Sequence, residues 1–276
     1  MPRADFDPAD PEAQHTLRAL AEEAARAGGH VARQYFRTDL AVRLKSDRSE
    51  VSDADEAAQA AVVAHIRAAR PADAFIAEER LDLPDPPSPP ANDRLCWAID
   101  PLDGTRNFIR QVPLYTCSVA AMIGGVPLVG AVYDPVHDVL YSAGREEGLF
   151  VNGELQPARR GPARPPGANP KPVVAIPSAA TGPTARLAHA WLDRYLCRSL
   201  GSTALHMAMV ATGQFDGMIG DEPRLWDIAA GWVLVIASGG QVTGPAGQPI
   251  FPLDVRTYAG EGIPTLAFGT GVSLPA

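Results

Sequence analysis

The chain is short of sulfur, of positive charge and of long apolar runs. Its three cysteines, Cys96, Cys117 and Cys197, stand far apart in 276 residues. None of their spacings suits a zinc site or a disulfide framework, so they read as core thiols of a cytoplasmic protein. Nothing approaches 18 consecutive apolar residues, which argues against a membrane-spanning helix. The first ten residues are polar and acidic, with no basic segment leading into an apolar one, so no secretory signal is visible. Twenty-four Lys and Arg face 32 Asp and Glu, a formal charge of −8. That balance disfavours long-range attraction to a nucleic acid polymer or an anionic membrane surface. A small anion would need a local positive device.

What is present suits a globular protein: 46% hydrophobic and 20% charged residues exclude a wholly disordered chain, a coiled coil or a fibre. At about 150 residues per domain, the length fits one large domain or two modest ones. Glycine and proline together make up 52 of the 276 residues, which implies many turns and short elements.

Apolar residues at helical spacing (Leu17, Leu20, Ala24, Val31, Tyr35) predict a helix over 12–37, with Gly28-Gly29 as its weak point. A second helix is predicted over 54–69, opened by a capping-box pattern at Ser52 and Asp55. Between them runs a polar loop, Lys45-Ser46-Asp47-Arg48-Ser49-Glu50. Apolar runs predict strands at 74–77 and 95–99, then a meander at 116–123, 126–133 and 138–143. Residues 156–172 hold six prolines and almost nothing apolar, the composition of an exposed connection. Beyond them strand and helix patterns alternate: 173–176, 183–196, 197–200, 202–212, 215–219, 226–238 and 240–243. The expected organisation is an α+β half over 1–155, a connection over 156–172 and an α/β half over 173–276.

The most informative stretch is Asp100-Pro101-Leu102-Asp103-Gly104-Thr105, where an apolar strand runs into two carboxylates and then a Gly-Thr pair that opens a helix. Carboxylate oxygens suit Mg²⁺, which proteins usually hold by a few carboxylates, water and substrate phosphate. A helix start offers N–H groups to a phosphate, and Gly104 would allow close approach. The plainer reading is a turn at Asp100-Pro101 and a cap at Asp103 or Thr105. An EF-hand loop is excluded, because it needs acids on alternate residues. Glu78-Glu79 sits at another predicted strand end, and Asp227 lies in the first turn of a predicted helix. Alone, Glu78-Glu79 reads more readily as a solvated loop and Asp227 as a helix N-cap.

Together these segments resemble the inositol monophosphatase family of metal-dependent, lithium-sensitive sugar phosphatases. The match runs through the Lys45 loop with 51–55, then 77–79, 97–108, 201–204, 211–213 with Asp216, and 226–231, in the family's order. The resemblance implies an α/β fold, a layered αβαβα sandwich. It also implies two or three Mg²⁺ per site, with Mn²⁺ able to substitute, held by Glu78, Asp100, the Leu102 carbonyl, Asp103 and Asp227. Gly104 and Thr105 would bind phosphate through backbone N–H groups. Thr105 and Asp55 would form a relay that, with Glu78, orients the attacking water. Asp103, Ser202, Thr203 and Asp227 would meet the substrate, a small phosphorylated metabolite, and the protein would be a homodimer. Inositol-specific relatives carry an acidic residue at the position of Gly220, so Asp221 or Glu222 could replace it only through a shifted loop. Histidinol phosphate, 3′-phosphoadenosine nucleotides, fructose 1,6-bisphosphate and other sugar or polyol phosphates stay open as substrates. Haloacid-dehalogenase-type phosphatases separate their two acids by one residue, whereas Pro101 and Leu102 both intervene here. A non-catalytic, metabolite-binding regulatory protein on the same fold is the alternative of another class.

Overall fold

Helix α1 (Pro11–Tyr35) begins where the Asp10 carboxylate accepts from the Glu12 N–H at 3.1 Å, an N-cap bond that satisfies one of the free amides of the first turn. The computed structural model to which α1 belongs describes residues 7, 10–39, 41–44, 50–80, 89–157 and 171–274. Of the expected segments, loop residues 45–49 and positions 158–170 of the Pro-rich connection lie outside the described residues. The expected weakness at Gly28-Gly29 is corrected, because α1 runs unbroken through both. A Cβ at Gly28 would come within 2.5 Å of Val62 Cγ2 and 2.9 Å of Cys117 Sγ, and one at Gly29 within 2.5 Å of the Tyr133 ring. The glycines let α1 press against its neighbours, and the packing recovers what the helix loses in propensity.

Strands β1 (Val42–Leu44) and β2 (Glu50–Ser52) form a two-stranded antiparallel ribbon that leads into α2 (Asp53–Ala69). Next come β3 (Ala74–Ala77), β4 (Cys96–Asp103), the short helix α3 (Thr105–Ile109), and β5 (Thr116–Ile123), β6 (Val126–Asp134), β7 (Val139–Gly144), β8 (Gly148–Val151) and β9 (Glu154–Leu155). These strands build a seven-stranded sheet in sequence order, with β3 and β4 parallel and every later pair antiparallel. The expected three-strand meander is thus five strands long. The period-2 rule explains both faces. Trp97, Ile99, Val119, Ala121, Ala131 and Tyr133 face α1 and α2, while Ala98, Ala120, Met122 and Val132 face the other way.

The second sheet has the order β11-β10-β12-β14-β13. Its strands are β10 (Val173–Ala175), β11 (Leu196–Arg198), β12 (Gly217–Gly220), β13 (Gln241–Thr243) and β14 (Thr265–Phe268). Helices α5 (Thr203–Ala211) and α6 (Leu225–Ala237) fill the space between the sheets, packing Leu205, Met207, Ala230 and Leu234 against both. Helix α4 (Gly182–Arg194) covers the outer face through Trp191, against Val174, Ile219 and Leu266. The layers are therefore α1α2, seven-stranded sheet, α5α6, five-stranded sheet and α4, an αβαβα sandwich. Strand β14 was not expected from the sequence. Among the described residues no helix is long and apolar enough to cross a membrane. Cys96 and Cys117 are core thiols, whereas Cys197, on edge strand β11, is only half-buried, which corrects the expectation for it.

Candidate active site

The site is built around an irregularity in β4. Opposite β5, Asp100 pairs with Ser118 and Asp103 with Thr116, so three steps along β4 match two along β5. This bulge falls at Pro101, which has no N–H to give the ladder. In a regular strand, residues three apart point to opposite faces. The extra residue restores the phase: Asp103 reaches α5 on the inner side, as the inward alternation of Ala98 and Asp100 requires. Leu102 meanwhile packs among Ala32, Ala54 and Ala58 of α1 and α2. In place of the turn that the plainer reading gave to Asp100-Pro101, the chain forms a bulged strand that places both carboxylates on one side.

Three other elements bring their acids to this point. Asp55, in the first turn of α2, accepts from the Ser52 N–H at 2.8 Å and the Ser52 hydroxyl at 2.7 Å, the reciprocal half of the expected capping box. Glu78 follows β3, where its N–H donates to Ile99 O at 3.1 Å. Asp227 lies in the first turn of α6 and accepts from the Arg224 N–H at 2.7 Å, while Ser118 of β5 donates to Trp226 O at 3.2 Å and ties that helix start to the sheet. Asp103 accepts from the Ser202 hydroxyl and the Ala204 N–H, both at 2.6 Å. Ser202 N-caps α5, so it joins Asp103 to the inner layer.

The electrostatics record the crowding. Burial, and then the charges of Glu78, Asp103 and Asp227, raise the Asp100 carboxyl well above the usual range. Asp227 is pushed up to about 8 by burial, Asp103 and Glu78, although it is partly open to solvent. Asp103 rises to about 6, chiefly by burial, against the lowering bonds from Ser202 and Ala204. Burial also raises Asp55, with Glu78 adding to it. The charges acting on Asp100 and Asp227 are those of other carboxylates. A divalent cation fits such a donor set, because it would remove the repulsion and all the donors are hard oxygens. Among the described residues, no three of these side chains come close enough together to enclose a metal ion.

Gly104 adopts φ +104 as the N-cap of α3, and a Cβ there would meet Leu114 O at 3.0 Å, so both the backbone sign and the space favour glycine. The helix it opens has only five residues, which makes its dipole weaker than the sequence suggested. The Thr105 hydroxyl lies 3.1 Å from both Asp55 Oδ1 and Leu102 O. Since a hydroxyl carries one proton, it donates to one of them at a time.

Several other candidates lie elsewhere. Glu79 is held by Gln59 of α2, which donates to its carbonyl at 2.8 Å and accepts from its N–H at 2.9 Å. Asp216 accepts from the Val173 N–H at 2.8 Å. Asp221 accepts from the Thr181 N–H at 3.0 Å, and Glu222 is exposed, with its Cβ against Gly262. Gly220 closes β12. Thr203 begins α5, and its N–H is among the donors to Asp103. Arg224 contributes the backbone bond to Asp227. Asn107 and His206, described below, are not singled out by the sequence: Asn107 lies inside the 97–108 stretch without a role of its own there, His206 lies in none of the matched segments, and their signal is the carbonyl and amide they reach in space.

The model of the inositol monophosphatase family matches residues 13–267. Nus factor SuhB of Escherichia coli is 34% identical over 255 residues, covering 90% of this chain and 92% of that protein. Inositol monophosphatase 2 of Solanum lycopersicum is 33% identical over 255 residues, covering 87% and 91%. The crystal structure of extragenic suppressor protein suhB from Bartonella henselae superposes with a TM-score of 0.77 at 26% identity, over 92% of this chain and 94% of that one. With the family's model spanning nearly its full length and a third of its residues shared with such relatives, this protein belongs to the inositol monophosphatase family.

Proposed function

We propose that the protein is a phosphomonoesterase that hydrolyses a small sugar or polyol phosphate in a reaction dependent on Mg²⁺ or Mn²⁺. The observation that carries this reading is that the seven-stranded sheet and α6 bring Glu78, Asp100, Asp103 and Asp227 within electrostatic reach of one another, where the neighbouring carboxylates raise Asp100 and Asp227. These four side chains and the Leu102 carbonyl would hold the cations. When bound, the cations would neutralise charge on the phosphate and on the leaving oxygen and acidify a water molecule. Four carboxylates carry −4, which two divalent ions cancel, so a phosphate dianion also needs the amides of Gly104 and Thr105 and, on this count, a third ion.

Thr105 and Asp55 supply the proton path. With the Thr105 hydroxyl donating to Asp55 Oδ1, its lone pairs would be free to accept from the water that attacks phosphorus, and Glu78 would accept from the same water. The proton then leaves through a side chain whose acceptor is already fixed by Ser52. No protein nucleophile is required. Asp103, Ser202, Thr203 and Asp227 would meet the sugar. With Gly220 lacking a carboxylate and Asp221 committed to Thr181, the reading favours a substrate other than one held by an acid at that position.

Phosphate release from an inositol monophosphate, histidinol phosphate, a 3′-phosphoadenosine nucleotide and fructose 1,6-bisphosphate tests this, each with Mg²⁺ and with excess EDTA. Release from at least one, abolished by EDTA, is expected. Full turnover in EDTA would overturn the metal dependence. Intact Mn²⁺ binding without turnover on any substrate would favour the non-catalytic, metabolite-binding reading.

A further inference from the structure

We infer that Asn107 and His206 are positioning residues for the carboxylate of Asp103, acting through the peptide units of Leu200. This rests on the reading of Asp103 as a metal ligand. The Leu200 N–H donates to His206 Nε2 at 2.9 Å, and the Leu200 carbonyl accepts from Asn107 Nδ2 at 2.6 Å. The same Nδ2 donates to Leu114 O at 2.7 Å. Both acceptors are carbonyls, so the Asn107 amide has one possible orientation and both its protons are committed. His206 is buried, and burial holds its imidazole neutral down to about 4. Because Nε2 accepts, Nδ1 carries the proton.

The geometry explains why this clamp matters one residue further on. Gly201 turns the chain at φ +75 with its Cα against Asn107, where a Cβ would come within 2.7 Å of Nδ2. The turn delivers Ser202, whose hydroxyl and whose neighbour's Ala204 N–H fix Asp103 Oδ2 from 99 and 101 residues away. Asn107 stands in α3, one turn beyond Gly104-Thr105, so one side chain links the proposed phosphate amides to the turn that aims Asp103. His206 anchors the same turn from α5. If the turn slackens, Ser202 and the start of α5 retreat, and Asp103 loses its orientation without any change in its own chemistry.

The test measures Mn²⁺ affinity from the free-ion resonance, which needs no turnover, and beside it KM and kcat at saturating Mg²⁺. Asn107→Asp removes the donor at constant shape, and His206→Phe removes the acceptor but keeps a ring. His206→Gln restores an acceptor of similar reach. Asn92→Ala, which breaks the bond from the Val255 N–H far from the carboxylates, is the control for a purely structural loss. We expect Asn107→Asp and His206→Phe to weaken Mn²⁺ at least fivefold, with kcat at saturating metal within threefold of wild type. His206→Gln and Asn92→Ala should stay within twofold in affinity. Unchanged Mn²⁺ affinity in folded Asn107→Asp overturns the inference, even if His206→Phe does not fold. An equal loss in Asn92→Ala overturns it as well. Wild-type protein that binds Mn²⁺ but releases no phosphate would sink the phosphatase reading while leaving this one standing. Wild-type protein that binds no Mn²⁺ removes both.

Discussion

Without metal, the protein should lose stability as pH rises from 5 to 8, and Mg²⁺ should remove that loss. The groups that face one another are Asp55 of α2, Glu78 after β3, Asp100 and Asp103 of β4 and Asp227 of α6. A carboxyl with a higher proton affinity in the folded chain keeps its proton there after the unfolded chain has lost it. Its contribution is therefore full below the unfolded value near 3.8 and disappears as pH climbs through the folded value. For Asp103, raised to about 6, about one pKa unit of that loss falls between pH 5 and 8, or about 1 kcal/mol. Asp227, raised to about 8, would lose more, but it is partly open to water; halving its nominal loss for screening leaves about 2 kcal/mol. The sum, about 3 kcal/mol, corresponds to a melting temperature lower at pH 8 by roughly 6–12 °C. Differential scanning calorimetry in EDTA at the two pH values measures it, with saturating Mg²⁺ as the second arm. Asp103→Asn keeps an oxygen to accept from Ser202 and Ala204, so it should raise the metal-free melting temperature at pH 8. A metal-free wild type as stable at pH 8 as at pH 5, or destabilised by Asp103→Asn, would refute the mutual repulsion.

Asp100→Asn, which removes one charge but can still accept from the Leu102 N–H, should cut turnover at least a hundredfold in steady-state assays while the far-ultraviolet circular dichroism stays native. Gly104, not Thr105, is the N-cap of α3, so Thr105→Ala should act on turnover, by about 10²- to 10⁴-fold, with little change in melting temperature. Asp55→Asn should mimic it, and the double variant should be little worse than either single one, since both belong to one relay; multiplicative losses would break the relay. Gly28→Leu, driven into Val62 and Cys117, should cost at least about 1–3 kcal/mol by urea unfolding, and a neutral result would contradict the close packing of α1 on α2 and β5.

Most elements were legible from the sequence because their causes are local. Ser52 and Asp55 announce the start of α2 through a bond between neighbours, and the alternation of β4 and β5 records two faces that must both be buried. The carboxylates at 100 and 103 were likewise visible as a pair. Their sharing of one face was not, since a period-2 reading sends residues three apart to opposite sides and only pairing with β5 reveals the bulge. Gly28-Gly29 misled for the same reason: helix propensity is a property of the chain alone, whereas the contacts with Val62 and Tyr133 exist only once α1 lies on its neighbours. Strands β8, β9 and β14 are short enough that their partners define them. The resemblance named Asp227 and Ser202, but their meeting with Asp103 depends on α5 and α6 lying between the sheets. Residue types and local spacing thus determined the donors and the elements that carry them. Tertiary structure decided the bulge, the repulsion among the acids and the clamp on Leu200, because each arises from groups close in space and distant along the chain.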